Sequence, residues 1–424
     1  MEPIAVAVLG GSGYVAGELV RLLAGHPVFR LVVISSESKG GQRLEDNFFH
    51  LRGTAAGRIV FGELEAVAEA VAAHRRLAVF SALPHGEAAA RIDEVLTVAE
   101  RAGTDVRVVD LSGDFRHGDA ASYGAIYGKP HGAPRRIAEF LCALPDLEPA
   151  GELGGARHVA HPGCFTTAAT LALAPLAAEG WLDPSVPATV VAVTGSTGAG
   201  RTPTATTHHP ERRSDLFAYN PLGHRHEPEM RALVARAVRS AAGTSADGTP
   251  DGGRSAHGEL ASALPDIAFV PHSGPFARGI HATITAKLAR PATAETLRAS
   301  IAAYYARIAA TLPPSSSSSS SFPSTEGLSS SPLSPSSTEE PLPLSSTEEL
   351  LPFVQVLAAP PRLQAVVGTN RCDLAVAVRG DHLIAFSAID NLVKGAAGGG
   401  VQWMNRLFDL PAATGLVAPG LGWL

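Results

Sequence analysis

The sequence predicts an α/β Rossmann domain with a doubly wound, mostly parallel sheet, joined to an α+β catalytic and dimerisation domain with a mostly antiparallel sheet. Three observations support this prediction. Short apolar runs alternate with helical repeats in the first third of the chain, a Gly-rich turn links the first run to the first helix, and β-branched runs dominate after residue 188. A length of 424 residues allows two or three domains.

The first domain is built from a strand–turn–helix–strand unit. Residues 4–9 form an apolar run, apolar residues then recur at helical spacing, and residues 31–34 supply the next strand. Two more strands are expected at 77–80 and 106–109, with a helix over 87–101 between them. Such alternation is typical of a parallel sheet with helices on both faces.

The second domain is expected to place two helices, 164–178 and 227–241, on one face of its sheet. Its predicted strands are 188–193, 266–270, 280–286, 353–357, 374–378 and 383–389. A final helix over 391–410 would return to the first domain. We therefore assign residues 1–160, completed by 391–424, to the nucleotide-binding domain and residues 161–390 to the catalytic and dimerisation domain.

Two segments interrupt this pattern. Residues 243–258 are rich in Gly, Ser and Asp and are expected to form a mobile surface loop. Residues 313–349 hold sixteen Ser and seven Pro in 37 positions, too few apolar groups to offset the entropy of ordering, so they are predicted to be disordered. A docking or phosphorylation role is one interpretation. A tolerated repeat expansion is favoured, because loops absorb added length at small cost.

Charge and cysteine content exclude several classes of protein. The net charge is −6, and the 313–349 segment contributes five Glu and no Lys or Arg, which leaves −1 for the remainder. This balance gives no basic surface for nucleic acid. Three cysteines and a start without a cationic signal region indicate reduced thiols in the cytoplasm. No apolar stretch is long enough to predict a membrane span.

A Gly-rich turn between the first strand and helix is the candidate cofactor site. Small residues there allow a pyrophosphate to approach backbone N–H groups at the positive end of a helix. The candidate residues are Gly10, Gly11, Ser12, Gly13, Tyr14 and Val15. After the second strand, Ser36 and Lys39 suit a 2′-phosphate, which favours NADP over NAD, although Glu37 opposes this. A Gly-rich turn without a ligand is the alternative.

Cys164 follows a Pro-Gly turn at the predicted start of a helix. The helix dipole and free N–H groups at such a position stabilise a thiolate, so Cys164 is the candidate nucleophile. Cys142 and Cys372 are expected to be small buried apolar residues.

Two further segments carry polar chemistry. The turn from Thr194 to Arg201 exposes backbone amides and ends in a guanidinium suited to carboxylate or phosphate. The segment from His224 to Glu229 holds two imidazoles and two carboxylates at a predicted helix start. No Cys or third spaced His accompanies it, so a general acid/base histidine oriented by a carboxylate is favoured over a metal site.

These segments together resemble the N-acetyl-γ-glutamyl-phosphate reductases of arginine biosynthesis, which are similar to the aspartate-semialdehyde dehydrogenases. The motifs that carry the resemblance are the turn at 10–17, DLSGDFR at 110–116, PGC at 162–164, GSTGAGR at 195–201, HRH at 224–226, FVPH at 269–272, RG at 278–279 and AIDNLVKGAAG at 388–398. Two positions depart from the family pattern: His161 stands where Asn is usual, and Phe165 where Tyr is common.

The resemblance implies roles for individual residues. Cys164 would be the nucleophile and His224 the acid/base, with Glu229 holding its imidazole; His226 is the competing choice and otherwise a substrate contact. Arg116 matches a phosphate-recognising position, and Arg201 is a candidate substrate anchor. The cofactor would also meet Ser196 and Gly198, and Asn391 in a segment that returns to the nucleotide.

The implied reaction is reductive dephosphorylation. The thiolate displaces phosphate from N-acetyl-L-glutamyl 5-phosphate, and NADPH reduces the resulting thioester to the semialdehyde. An N-succinylglutamyl or aminoadipyl phosphate is an alternative substrate, because one methylene or a changed cap leaves no motif. A non-catalytic NADP-binding scaffold is the alternative from another class. The expected partners are a small acyl phosphate and further copies of the chain, as a dimer or tetramer.

Overall fold

A computed structural model describes residues 2–150, 156–242, 264–312, 353–420 and 422. The two predicted insertions, 243–258 and 313–349, lie outside the described residues. Among the described helices, none combines the length and apolar character that crossing a membrane requires.

The first sheet has six strands, and all of its pairings are parallel. Its strands are β1 (Ile4–Leu9), β2 (Phe29–Ile34), β3 (Arg76–Ser81), β4 (Asp105–Asp110), β5 (Phe140–Cys142) and β6 (His158–Ala160). The spatial order is β2-β1-β3-β4-β6-β5, so the direction of winding reverses between β1 and β3. Ligands of doubly wound sheets bind at this reversal, beyond the carboxyl ends of the strands.

Helices cover both faces of this sheet. In chain order they are α1 (Tyr14–Ala24), α2 (Leu44–Asn47), α3 (Leu64–Ala73), α4 (Ala88–Ala102) and α5 (Ala120–Tyr127). Alternate residues of β1 enter two different apolar cores: Val6 packs with α1, and Ala7 with α3 and α4. Because both faces are buried, β1 is apolar along its whole length, as the sequence predicted.

The second sheet has seven strands in the order β11-β12-β13-β10-β7-β9-β8. They are β7 (Ala188–Thr194), β8 (Phe217–Ala218), β9 (Ile267–Ser273), β10 (Ile280–Lys287), β11 (Val354–Val356), β12 (Cys372–Arg379) and β13 (His382–Ile389). Four of the pairings are antiparallel, and β11–β12 and β7–β9 are parallel. The predicted mostly antiparallel sheet is confirmed.

Three long helices pack on one face of the second sheet and share one core with it: α6 (Cys164–Ala178), α8 (His226–Ala241) and α9 (Ala294–Thr311). Two short helices, α7 (His209–Arg212) and α10 (Leu363–Val366), lie in its connections.

The chain returns to the first domain after β13. A π-helical turn, Val393–Ala397, leads into α11 (Gly398–Leu407), so the regular helix begins seven residues later than the predicted 391. Trp403 of α11 is fully buried and donates a hydrogen bond from Nε1 to the carbonyl of Ala143 at 2.9 Å. This segment packs in the same core as β1 and α1.

Candidate active site

Cys164 is the first residue of α6, and Gly163 is the residue that caps the helix. The sequence placed the thiol at a helix start, and the structure agrees. Its other neighbour is the π-helical turn: a Cβ built on Gly395 would lie 2.7 Å from the Cβ of Cys164. The thiol is partly buried and packs at the edge of the core between the second sheet and its helices.

The electrostatic expectation for this thiol was wrong. Burial raises the pKa of Cys164 above its ordinary value, and the opposing effects of Arg116 and of the Phe165 N–H group do not overcome it. The helix terminus is present, but the loss of solvation outweighs it. The resting site therefore holds a thiol, and its proton has to leave during the reaction.

The two histidines of the HRH segment lie side by side, with ring centroids 4.6 Å apart. The backbone N–H of His226 donates to Nδ1 of His224 at 3.2 Å, which places the proton of a neutral His224 ring on Nε2. Burial and then Arg225 lower the pKa of His224 to about 4. His224 is thus neutral at pH 7 and presents an N–H donor.

His226 is buried and contacts the turn before the cysteine. A Cβ on Gly163 would lie 2.3 Å from Nε2 of His226, so only glycine fits at that position. Its Nδ1 atom is buried and has no hydrogen-bond partner among the described residues, and burial lowers the pKa of the ring well below its usual value. His226 therefore shapes the approach to Cys164.

The sequence predicts that Glu229 holds the imidazole of His224, and this prediction is wrong. Its Oε1 pairs with Nη1 of Arg116 at 3.3 Å, and its Oε2 accepts from the Gly163 N–H and the Thr166 hydroxyl, both at 2.9 Å. Burial opposes the charge on Glu229, but Arg116 and these donors hold its pKa well below the usual range. An arginine and two N-terminal donors of α6 outcompete a neutral imidazole for this carboxylate.

Arg116 is also more enclosed than a free phosphate-binding group. Besides Glu229, it donates from Nε to the His161 carbonyl at 2.9 Å and from Nη2 to the Leu111 carbonyl at 3.0 Å. These three bonds leave two of its five N–H groups for a ligand. The Arg116–Glu229 pair links the loop after β4 to α8, and Glu229 also bonds to Gly163, the residue before Cys164.

The predicted nucleotide turn has the required shape. Gly10 has φ +79°, and a Cβ there would lie 2.8 Å from the backbone of Leu83, while a Cβ on Gly11 would strike Ile34. Gly13 faces open space and caps α1, which begins at Tyr14. Ser12 lines the same cleft, whereas Val15 packs on the first core. A phosphate can thus approach the amino end of an eleven-residue helix.

A cleft of about 710 Å³ extends from this turn, and Ser36, Glu37 and Lys39 line its far wall. The sequence reasoning missed Arg91 of α4, which lines the cleft and pairs with Glu37 at 3.1 Å. That pairing offsets the carboxylate that had argued against a 2′-phosphate. Arg91 lies 52 residues beyond Lys39, so no local motif marks it.

Arg201 lies at the cofactor cleft and not beside the cysteine. Gly200, with φ +86°, turns the chain so that Arg201 donates to the Ser12 carbonyl at 3.1 Å and to Oδ1 of Asn47 at 2.7 Å. Backbone and amide acceptors therefore occupy the guanidinium that the sequence assigned to the substrate. This contact ties the second domain to the nucleotide turn.

Asn391 also fixes backbone near the cofactor side. Its Oδ1 accepts from the Gly279 N–H at 2.7 Å, and its Nδ2 donates to the Thr197 hydroxyl at 3.0 Å. The amide thereby holds the turn that contains Ser196 and Gly198. Four residues later the same segment reaches Cys164 through Gly395, so one stretch of chain connects the cofactor side to the nucleophile.

Tyr219 is a second residue that sequence reasoning missed. Its ring meets the edge of His224 with centroids 5.6 Å apart, and burial is the main cause that raises the pKa of its hydroxyl. It follows a two-residue strand within a long connection, where no periodic pattern signals burial.

Comparison with known proteins matches both domains. A family model described as semialdehyde dehydrogenase, NAD binding domain, covers residues 5–139, and one described as semialdehyde dehydrogenase, dimerisation domain, covers 164–246 and 254–323. The chain is 33% identical over 423 residues to an N-acetyl-gamma-glutamyl-phosphate reductase of Acidithiobacillus ferrooxidans, and the alignment covers 98% of each chain. It is 34% identical to the enzyme of that name from Desulforudis audaxviator, over 99% of each chain.

Solved structures agree on the fold. Aspartate semialdehyde dehydrogenase II of Vibrio cholerae superposes with a TM-score of 0.58 at 13% identity, covering 96% of this chain and 99% of that one. The aspartate semialdehyde dehydrogenase of Candida albicans gives 0.55 at 15% identity, over 96% and 98%.

Proposed function

The chain belongs to the N-acetyl-gamma-glutamyl-phosphate reductase family, and we propose that it reduces N-acetyl-L-glutamyl 5-phosphate to the 5-semialdehyde, a step of arginine biosynthesis. One observation carries this proposal: the segment from Asn391 to Gly395 joins the cofactor-side turn to Cys164. That turn leads on to Arg201, which lines the dinucleotide cleft and bonds to Ser12, and this supports placing the nucleophile and the dinucleotide at one site.

In the first half-reaction, the Cys164 sulfur attacks the acyl carbon and phosphate leaves. The thiol proton departs with the phosphate, since the pKa of Cys164 is raised and the leaving phosphate is basic. Arg116 has two N–H groups without a partner in the described part of the chain, and these support the negative charge of the leaving group. A thioester on Cys164 remains.

In the second half-reaction, the thioester is reduced. Gly10, Gly11 and Gly13 leave room for a dinucleotide at the start of α1. When bound, the dinucleotide would supply the hydride. His224 donates a hydrogen bond from Nε2 to the oxyanion that forms, a role suited to a neutral imidazole with a pKa of about 4. Collapse releases the semialdehyde, and the thiolate regains a proton.

NADP is the proposed cofactor. Lys39 and Arg91 bring two cations to the wall where Ser36 supplies a hydroxyl, and Arg91 pairs with the Glu37 carboxylate there. A 2′-phosphate needs such a surface, whereas a ribose hydroxyl needs an unpaired carboxylate.

We assign residues 1–160 with 391–424 to the cofactor domain and residues 161–390 to catalysis and dimerisation, in an enzyme of the cytoplasm. The family model of the second part is described as a dimerisation domain. On the sheet face opposite α6, Phe386, Thr283 and Val191 lie in register on β13, β10 and β7, each partly exposed. This row is the proposed contact between copies of the chain.

The direct test is the reverse reaction. Purified protein with N-acetyl-L-glutamate 5-semialdehyde, NADP and phosphate should form NADPH, and omission of phosphate or arsenate should stop it. The N-succinyl and aminoadipate semialdehydes serve as matched alternatives, and a higher kcat/KM for either would replace the proposed substrate. No turnover with any of them would favour a non-catalytic scaffold.

A further inference from the structure

Arg212, at the end of α7, is a buried cation. The residue is 6% exposed, and none of its three guanidinium nitrogens has a partner among the described residues. Its guanidinium carbon lies 5.9 Å from the ring centroid of Phe217. An uncompensated buried charge is costly, so such a group needs an anion.

The position of Arg212 relates it to the active site. Phe217 of β8 and Tyr219 are two residues apart in extended chain that runs beside β9. Phe217 pairs with Ser273, and the Tyr219 N–H donates to the Pro271 carbonyl. Residues at this spacing project to the same side of a strand. Arg212 packs over the first of them, and the ring of His224 meets the second at 5.6 Å.

We propose that Arg212 binds the α-carboxylate of the N-acylglutamyl substrate, an inference that rests on the proposed function. The substrate carries two anionic groups, the acyl phosphate at Cys164 and a carboxylate about four bonds from the acyl carbon. A guanidinium recognises a carboxylate through two parallel hydrogen bonds.

Other cations near the site are committed elsewhere. Arg116 is bonded to Glu229 and two carbonyls, and its remaining N–H groups are assigned to the leaving phosphate; Arg201 is bonded to Ser12 and Asn47. Arg225 is exposed, so water solvates its charge and no anion is required. Arg225 and Arg212 both act on Tyr219, and of the two only Arg212 is buried. The nearby carboxylate of Asp215 influences Arg212 but forms no ion pair with it.

The test compares Arg212→Met with Arg213→Met, a matched change at the exposed next residue. Two aldehydes are used, N-acetyl-L-glutamate 5-semialdehyde and 4-acetamidobutanal, which lacks the α-carboxylate. Arg212→Met should lower kcat/KM about 100-fold for the first and by less than about threefold for the second, with KM for phosphate and NADP unchanged. Arg213→Met should change neither. Equal losses for both aldehydes would overturn the assignment.

Two further measurements do not depend on turnover. Calorimetry should show N-acetyl-L-glutamate binding to the wild type about 100-fold more tightly than to Arg212→Met. Thermal unfolding of the free variant should occur at the same or a higher temperature, because a lone buried charge is removed. A lower Tm matched by Asp215→Asn would instead make Arg212 a structural partner of Asp215. Wild type that binds N-acetyl-L-glutamate through Arg212 but reduces no NADP would leave this inference standing and refute the proposed function.

Discussion

Gly395 and Cys164 are packed so closely that the π-helical turn has no room for a side chain above the nucleophile: a Cβ on Gly395 would lie 2.7 Å from that of Cys164. Real Cβ atoms do not approach so closely, and π-helical turns are frequent at functional sites. The turn therefore limits where the sulfur can lie.

Gly395→Ala should displace the Cys164 side chain and lower kcat at least tenfold, because small misplacements of reacting groups are costly. KM for NADPH should change little. Gly25→Ala is the control, since nothing lies within 4 Å of a Cβ there. Steady-state kinetics of both variants check this, and normal kcat in Gly395→Ala would show that the turn adapts.

Alkylation of Cys164 by iodoacetamide should accelerate as pH rises past 8, because burial raises the pKa of this thiol and only the thiolate reacts. Cys164 should still react before Cys372, whose pKa burial raises to about 12, and before Cys142. Peptide mapping after timed labelling measures both. A rate that levels off by pH 7 would indicate a thiolate in the resting enzyme, and Cys164→Ser should abolish reduction in either case.

Removal of cations from the cleft wall should separate the two cofactors. Lys39→Ala and Arg91→Ala should each raise KM for NADPH at least tenfold and leave KM for NADH nearly unchanged, and Arg91→Ala should do more because it also frees Glu37. Ser36→Ala should act in the same direction. Arg101→Ala, an exposed change at the far end of α4, is the control. Equal losses with both cofactors would contradict the NADP assignment.

The two histidines should differ in kinetic effect. His224→Asn should lower kcat by about 10² to 10⁴ by removing the donor to the oxyanion. His226→Asn should chiefly raise KM for the acyl phosphate, because His226 lines the turn at Gly163. The reverse pattern would transfer the donor role to His226, and normal rates in both would remove it from this segment.

Stability should fall as the solution is acidified below pH 6.5. Burial lowers the pKa of His161 to about 3, and Arg116 and Lys394 add to the shift. Between pH 6.5 and about 3, the unfolded state therefore binds a proton that the native state does not bind. Stability is therefore complete above pH 6.5 and is lost as pH falls. His161→Asn should remove about 2 to 3 kcal/mol of that loss between pH 7 and 4.5. Unfolding curves at both pH values, with the exposed His382→Asn as control, measure it; an unchanged pH dependence would contradict the burial argument.

Local patterns predicted the regular elements well. The helix over 164–178 is confirmed at both ends, and β1 has the predicted bounds, because an unbroken apolar run and a Pro-Gly cap are strong local signals. Residues 140–142 and 158–160 were missed as strands, since each is only three residues long and is specified by its neighbours in the sheet. The helix Ala294–Thr311 also escaped prediction; its apolar residues form only a weak stripe.

Side-chain partners were harder to predict than backbone. Glu229 and Arg201 carry the right chemistry at the right turns, but acceptors and donors distant in sequence, Arg116 and Asn47, determine where each points. The prediction of a lowered pKa for Cys164 failed for the same reason, because burial depends on the whole fold and not on the helix start alone.

The Arg116–Glu229 pair has a consequence for motion. It bridges the loop after β4 and helix α8, with both side chains at most 5% exposed, so any hinge movement that separates the two domains at this point must break it. Hinge opening there would give up this buried charge-assisted hydrogen bond, which favours the closed arrangement. Exchange of cofactor and release of product should therefore proceed through rearrangement of loops around a single rigid body.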